Sequence, residues 1–442
     1  MNHGKYIPHS CGDAVNLLYR SHRGWLTAAV HTSIAWPEKD VMLQYDGDDY
    51  FLRGLKQGEN VQGSPCISMR CSTAETNTTL NKLYRFSSIL GWFMRGYVDV
   101  VGHITGSHPT LYTLGPYPHM SIMAGASHGF NCNYMPLINN DSTRRALAFW
   151  REGLRLHNVH QSYSFLSFYK VIESQFKKGN VRGDWIDQAI PTLTDDAGMR
   201  VKELLAQGLE VGNHIYKSGR CAIAHASFDD DEGDPDIPED RIRISKDLVI
   251  IRALAQKYIA EVLEVPDEMD VFRTRNRLFG LQAYLTSAHI QELQRGGSVL
   301  RRKLGLNGLH LSINRWQESV PEAFKDLLLS VVNAHNGLVE LQAINDVAKL
   351  SLAFVLDFTQ GKAHVDIQNC EFLHPDLGGT LNGATAILDF QKAVIGNGLI
   401  EATLPNGDKF DFEVIIPVNV DIGQTIRAID IKIQTLKAQF HS

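Results

Sequence analysis

The sequence has few of the features that would identify an exported, membrane-spanning or zinc-binding protein. It contains six cysteines among 442 residues, and the one close pair, Cys66 and Cys71, has no second pair at zinc-ribbon spacing. Residues 1–13 hold no apolar stretch typical of a signal peptide. The longest apolar runs, such as Leu327–Val332 and Leu352–Val355, are too short to cross a bilayer. We therefore expect a reducing, cytoplasmic location and no contact with a membrane.

The chain also lacks an excess of positive charge. Its formal net charge is −6, and 44% hydrophobic and 21% charged residues are ordinary proportions for a globular protein. This composition excludes a disordered chain, a collagen-like repeat and a basic nucleic-acid coat protein. A contact with RNA would need a local cationic patch, although clustered arginines more often form a solvated surface. Two candidate clusters occur: Arg273, Arg275 and Arg277, and Arg295, Arg301, Arg302 and Lys303.

Several common catalytic motifs are absent. No Gly-x-Ser-x-Gly motif, phosphate-binding P-loop or dinucleotide-binding glycine motif occurs. Four histidines, at positions 103, 108, 119 and 128, lie in a loop-rich segment, but their spacing matches no known pair of metal ligands. A metal-dependent hydrolase in this segment is therefore a third alternative, and we expect neither a metal nor a cofactor.

The hydrophobic pattern predicts an α+β multidomain protein, in which a central all-α bundle is flanked by β-rich N- and C-terminal regions. Near the N-terminus, Asp46-Gly47 indicates a hairpin, followed by a helix over about 78–95 and a strand over 98–104. Near the C-terminus, Pro405-Asn406-Gly407-Asp408 indicates a turn between two strands. The predicted domains are 1–140 (α+β), 141–265 (helical bundle), 266–335 (helical extension) and 336–442 (β-rich).

Helices dominate residues 141–265, where apolar residues recur every three or four positions behind polar capping residues. Short connections between these helices favour antiparallel packing. The third helix is predicted to end at Ser218-Gly219 and the fourth to begin at Arg220. The expected helices run from about 141 to 157, 162 to 178, 195 to 217, 220 to 227 and 245 to 264.

The segment Gly219-Arg220-Cys221-Ala222-Ile223-Ala224-His225-Ala226 places an arginine and a histidine, with four residues between them, inside this bundle. It resembles the signature of the HEPN superfamily, in which four to six residues separate Arg from His on a late helix of a four- or five-helix bundle. The stretches ALAFWREGLRL, SFLSFYKVIES and GNHIYKSGRCAIAHA resemble a larger, defence-associated subgroup that includes MauJ-like proteins of methylamine utilisation. The resemblance covers roughly residues 141–265.

The resemblance implies a metal-independent endoribonuclease that works as a toxin or phage-defence effector. Two copies of the chain would form a homodimer whose Arg–His pairs line one cleft that binds RNA, and the flanking domains would bind a regulatory partner or ligand. His225 would act as base or acid near neutral pH, and Arg220 would bind a phosphate oxygen. Members of the superfamily often carry an acid near this pair, which Glu173 matches. The predicted catalytic residues are therefore Arg220, His225 and Glu173.

The alternative is a non-catalytic HEPN-like module for dimerisation or interaction, with a regulatory role. Arg220 would then pair with an acid that orients its helix, His225 would be a packing residue, and Glu173 an exposed helix charge. Cys221 favours this alternative, because active members often have a polar residue there. The acidic run over 229–236 favours it too, since it would repel RNA if it faced the cleft.

The spacing of the Arg–His pair is weak support when taken alone. Arg151 with His157, and Arg155 with His160, meet the same spacing rule on or just after the first helix of the bundle, where the family does not place its motif. Residues five apart on an ideal α-helix also point roughly 140° away from each other. Arg220 is therefore expected at or before the start of its helix.

Overall fold

The computed structural model describes residues 5–7, 24–55, 63–110, 124–125, 130, 132–224, 237–274, 278–315, 319–366, 369–395, 400–412 and 422–440. The chain divides into two compact units. The first comprises most of residues 1–271, and the second comprises residues 272–442 with the short segments Tyr6–Pro8 and His128–Asn131. The protein has an α+β multidomain fold, as the sequence predicted.

The N-terminal region is an antiparallel sheet with one long helix. Its elements are β1 (Lys5–Ile7), β2 (Trp25–Thr32), β3 (Trp36–Pro37), β4 (Val41–Tyr45), β5 (Asp48–Arg53), β6 (Cys66–Arg70), α1 (Thr76–Phe93), β7 (Val98–Gly106) and β8 (Ala124–Gly125). Strands β4, β5, β6, β2 and β7 follow one another in the sheet. The predicted hairpin at Asp46-Gly47 is confirmed, because both residues have positive φ, 51° and 80°, as a two-residue turn requires. The predicted helix and strand correspond to α1 and β7.

The central region is helical. Its elements are α2 (Asp141–Leu156), α3 (Gln161–Glu173), α4 (Gly179–Ala189), α5 (Asp195–Ala206), α6 (Val211–His214), a π-helix (Ile215–Cys221), a final turn (Ala222–Ala224), α7 (Pro238–Lys257), a second π-helix (Tyr258–Val262) and α8 (Glu268–Thr274). Helices α2 and α3 pack on each other, and α3 packs on α7. Asn140 caps α2 by accepting a hydrogen bond from the backbone N–H of Ser142.

Several predicted helix boundaries in this region are wrong, including the end of the third predicted helix, which was expected near residue 217 and lies at Ala206. The second predicted helix ends at Glu173, five residues early, and the separate helix α4 follows it. The sequence did not indicate α4, because Gly179 and Gly183 lower its intrinsic helix propensity; packing stabilises it instead, with the Trp185 ring 4.8 Å from the Tyr258 ring. Helix α7 begins at Pro238 rather than near Ser245, since proline is well suited to the first turn of a helix.

The second unit contains a curled antiparallel sheet in a half-barrel arrangement. The elements are α9 (Phe279–Gln282), α10 (Ser287–Gln294), β9 (His310–Arg315), β10 (Leu327–His335), β11 (Leu338–Asn345), β12 (Leu350–Asp357), β13 (Lys362–Val365), β14 (Glu371–Phe372), α11 (Leu381–Ile395), β15 (Ile400–Thr403), β16 (Lys409–Phe412) and α12 (Ile422–Phe440).

The strand order in this sheet is β13-β12-β11-β10-β9-β15-β16, and β14 pairs with β12. Residues 310–335, predicted as part of a helical extension, contain β9 and β10 instead. The predicted turn near Gly407 is confirmed and joins β15 to β16.

Candidate functional site

Arg220 lies inside a continuous helical segment and not at the start of a helix. The segment runs from Val211 to Ala224, and its middle turns form the π-helix. The expectation that Ser218-Gly219 ends a helix is therefore wrong. Gly219 serves close packing instead: a Cβ atom at this position would lie 2.4 Å from the ring of Phe165, which is fully buried on α3.

Glu173 holds two arginines with one oxygen. Its Oε1 accepts hydrogen bonds from Nη2 of Arg220 at 3.1 Å and from Nη1 of Arg182 at 3.0 Å. Glu173 lies on α3 and its side chain is 26% exposed. Arg182, on α4, is 13% exposed, and Arg220, in the π-helix, is 23% exposed. The structure thus brings together two of the three predicted catalytic residues, and it adds Arg182, which was not predicted.

Two tyrosines flank the second arginine of this cluster. The guanidinium carbon of Arg182 lies 5.3 Å from the ring centroid of Tyr169 and 5.7 Å from that of Tyr216, within the range of cation–π attraction. Burial raises the pKa of Tyr169 to about 12. Tyr216 is 39% exposed, and a hydrogen bond with Cys221 raises its pKa, so both phenols are neutral at neutral pH.

The charge of Arg220 is also stabilised. Burial lowers its pKa, but the charge of Glu173 and a hydrogen bond with Cys221 outweigh burial, so that the pKa is raised above its usual value. Because one carboxylate faces two guanidinium groups, the cluster of Glu173, Arg182 and Arg220 keeps one net positive charge. Such a partly exposed cationic cluster is suited to bind a phosphate oxygen.

His225 and the acidic run over 229–236 lie outside the residues that the structure describes. The predicted pairing of Arg220 with His225 therefore stays a prediction, as does any effect of the acidic run on a cleft. Cys221, whose residue type was taken to favour a non-catalytic module, is buried.

A second cluster in the same helices was not found from the sequence. Asp247 on α7 is 3% exposed and uses both carboxylate oxygens: Oδ1 accepts from Nε and Nη2 of Arg200 at 2.9 and 2.8 Å, and Oδ2 lies 2.8 Å from Nε2 of His214. Burial lowers the pKa of Arg200, but hydrogen bonds to Glu203 and Asp247 outweigh burial and leave this pKa raised. Asp247 occupies a position in the buried apolar periodicity of α7, and this position was the sequence signal that could have identified it.

The cluster of Asp247 fixes the segment that contains Arg220. His214 is the last residue of α6, so its bond to Asp247 anchors the start of the π-helix on α7. Arg243, also on α7, donates a hydrogen bond to the carbonyl oxygen of Ser218 within the π-helix. Two side chains of α7 thus hold the π-helix at both sides of its first turn.

The two other Arg–His pairs of similar spacing have structural contacts. Arg151 donates hydrogen bonds to the carbonyl oxygen of Tyr84 and to the Ser88 hydroxyl, both at 3.0 Å, and its Nε lies 3.3 Å from Asp99. Arg155 lies 3.9 Å from the same carboxylate. His160 caps α3 by accepting from the backbone N–H of Tyr163. These contacts join α2 to the N-terminal region.

Other predicted features can be placed in part. Among the described residues, no group of three or more His, Cys, Asp or Glu side chains is arranged to hold a metal ion, and His119 and His128 lie outside them. Within the described part of the chain, no helix is both long and apolar enough to span a membrane. In the cationic clusters, Arg275 and Arg277 are not described, while the following side chains are exposed: Arg273, Arg295, Arg301, Arg302 and Lys303.

Residues 146–260 match a family model described as methylamine utilization protein MauJ, which covers about a quarter of the chain. The matched range begins within α2, ends within the second π-helix, and includes both carboxylate clusters. No curated protein matches the chain, and no solved structure does so either.

Proposed function

We propose that this chain, whose residues 146–260 form a MauJ-family domain, is a metal-independent endoribonuclease of the HEPN type. In this reaction a histidine removes the proton of a ribose 2′-hydroxyl, and the 2′-oxygen attacks phosphorus. The bond from phosphorus to the 5′-oxygen breaks, and a proton transferred to that oxygen leaves a 2′,3′-cyclic phosphate and a 5′-hydroxyl. His225 transfers protons, and Arg220 stabilises the negative charge on the phosphate oxygens.

The arrangement around Glu173 is the observation that supports this proposal. Glu173 orients Arg220 through a 3.1 Å hydrogen bond, yet about a quarter of the Arg220 side chain stays exposed. Arg182 bonds to the same oxygen and supplies the second positive charge. An arginine that is oriented and partly exposed can offer N–H groups to a phosphate oxygen. Two copies of the chain would supply one histidine as base and the other as acid.

The contact between Arg220 and Glu173 also favours a second function, a non-catalytic module for dimerisation or interaction. In such a module the ion pair would orient the helix, and no accessible histidine would be needed. The two functions make opposite predictions for His225, because only the nuclease requires its ring to transfer protons.

The test is RNA cleavage by the purified full-length chain in the presence of EDTA, with labelled single-stranded RNA, transfer RNA and ribosomal RNA as substrates. We expect wild-type protein to release fragments with 2′,3′-cyclic phosphate ends. His225→Ala should lower the rate by roughly 10²–10⁴-fold, the usual contribution of general acid–base catalysis. Arg220→Ala should lower it similarly, and Arg220→Lys should restore part of it, because lysine keeps the charge but not the planar fork.

Lys202→Ala is the matched control, since Lys202 is an exposed cation on α5 without an ion pair among the described residues. Its rate should equal that of the wild type. If wild-type protein cleaves none of these RNAs, or if His225→Ala cleaves as fast as the wild type, the nuclease proposal is wrong. If the wild type and His225→Ala then both sediment as dimers, this result would support the interaction module.

A further inference from the structure

An exposed aromatic ring lies beside the cluster of Glu173, Arg182 and Arg220. Tyr216 is in the π-helix, four residues before Arg220, and it is 39% exposed. The other tyrosine at this cluster, Tyr169, is 1% exposed. Of these two rings, therefore, only that of Tyr216 can contact a ligand that arrives from solvent.

The guanidinium group of Arg182 lies between the two rings. Its carbon is 5.3 Å from the ring centroid of Tyr169 and 5.7 Å from that of Tyr216, and it lies over each ring. Tyr169 belongs to the buried side of α3, so this series of planar groups begins in the core and ends at Tyr216. The part of the Tyr216 ring that Arg182 leaves uncovered can receive one more planar group.

The ring of Tyr216 is also close to Arg220. A hydrogen bond with Cys221 raises the pKa of the Tyr216 phenol, whereas the positive charges of Arg220 and Arg182 lower it. Cys221 is 7% exposed, so this bond connects the hydroxyl to a buried side chain. A ring that is held in place before binding loses little conformational entropy when a ligand stacks on it.

A cationic group beside an accessible aromatic ring is the combination with which proteins bind single strands of nucleic acid. The cations contact phosphates, and the bases stack on the rings. The cluster of Glu173, Arg182 and Arg220 has one net positive charge, and the Tyr216 ring adjoins both guanidinium groups. A phosphate and a base that lie next to each other in one nucleotide can therefore be bound together here.

We propose that Tyr216 is the stacking surface for the base of the nucleotide whose phosphate is bound by Arg182 and Arg220. This inference rests on the proposed function, because it takes RNA as the ligand of the cluster. It adds a residue that contacts a base and transfers no proton. Tyr216 therefore contributes to the affinity for RNA, whereas His225 carries out the proton transfers.

The experiment measures binding of a fluorescein-labelled pentanucleotide of adenosine to the full-length protein by fluorescence anisotropy. Fluorine replaces each 2′-hydroxyl of this probe, which removes the nucleophile and prevents cleavage. The comparison probe has the same number of phosphates but lacks every base, so the two probes carry equal charge. The wild type should bind the intact probe at least about fivefold more tightly, which is the smallest usual contribution of one stacked base.

Three variants of Tyr216 separate stacking from other contacts. Tyr216→Phe keeps the ring and should keep the preference for the probe with bases. Tyr216→Ala should bind both probes equally, and so should Tyr216→Leu, which keeps an apolar contact with Arg182 but has no flat ring. Because the preference is a ratio measured on one protein sample, a smaller folded fraction of a variant does not change it.

Tyr163→Ala is the matched control. Tyr163 is a 53% exposed tyrosine near the start of α3, roughly 15 Å from Glu173 along the helix axis. This variant should show the same preference as the wild type, since its ring lies away from the cluster.

Two results would overturn the proposal: equal binding of both probes by the wild type, or an undiminished preference in Tyr216→Ala. The cleavage assay decides the nuclease proposal separately. If the wild type cleaves RNA and Tyr216→Ala keeps the preference, only the stacking assignment is wrong. If the wild type cleaves no RNA and Tyr216→Ala loses the preference, only the nuclease proposal is wrong.

Discussion

Two carboxylates in the helical region hold basic side chains in different ways. Asp247 is 3% exposed and fills both oxygens with bonds to Arg200 and His214. Glu173 is 26% exposed and uses a single oxygen for Arg182 and Arg220. Both clusters join neighbouring helices of the same unit, and both lie within the range that matches the MauJ family model.

The difference shows which cluster can exchange its partners. A buried, fully bonded carboxylate cannot release an arginine without leaving an unpaired charge away from water, which is costly. A partly exposed carboxylate can, because water replaces the lost bond. We therefore infer that Asp247 stabilises the fold, whereas Glu173 orients an arginine that is partly exposed to solvent.

The largest expected effect is the loss of Asp247. Asp247→Ala should lower the free energy of unfolding by about 3–5 kcal/mol, because His214 would lose its buried acceptor and Arg200 would keep only its bond to the exposed Glu203. Urea denaturation followed by circular dichroism measures this change. Asp184→Ala, at an exposed carboxylate on α4, is the control and should change stability by less than about 0.5 kcal/mol. Equal effects of the two variants would show that the Asp247 cluster is not structural.

A smaller effect is expected from the packing of the π-helix. Gly219→Ala would place a methyl group against the buried Phe165 ring and should destabilise the protein by about 1–3 kcal/mol. Gly183→Ala on α4 is the opposite control, because no atom lies within 4 Å of its added Cβ and alanine favours the helix by up to about 1 kcal/mol. Thermal unfolding should therefore shift down for Gly219→Ala and up for Gly183→Ala. A shift in the same direction for both would refute the close packing on Phe165.

The smallest change in stability is expected at Glu173. Glu173→Gln should cost less than about 1 kcal/mol, because Arg182 and Arg220 reach solvent. RNA cleavage should nevertheless fall about tenfold, since an amide orients Arg220 less strongly than a carboxylate. Urea denaturation and the cleavage assay, done on the same sample, separate the two effects. A loss of stability as large as that of Asp247→Ala would remove the distinction between the clusters.

Local sequence patterns were sufficient to predict those elements whose own residues determine their backbone conformation. The hairpin at Asp46-Gly47 and the turn near Gly407 were predicted because their backbones need positive φ, which few residue types adopt readily. Helices α1 and α2 were predicted from apolar periodicity. Helix α4 and strand β9 were not, because their stability comes from packing against distant residues such as Tyr258 and Ala402.

Only part of the candidate site was predicted, because its contacts also join residues that are distant in the sequence. Arg220 and Glu173 were identified through a resemblance, and their 3.1 Å contact joins residues 47 positions apart. Arg182 was missed because nothing in its local sequence distinguishes it from an ordinary surface charge of a helix, and Asp247 was missed because its position on an apolar helix face does not reveal its partners. Their roles depend on which carboxylate or guanidinium lies opposite.

The sequence by itself determined the α+β composition, the helical character of the central region, and the tight turns, because these follow from periodicity and from the local preferences of the backbone. Tertiary structure alone decided that Arg220 lies within a π-helix, that Glu173 is shared by two arginines, and that Asp247 is buried. The physical reason is that the exposure and the partners of a charge depend on groups brought together by folding, often tens of residues away along the chain.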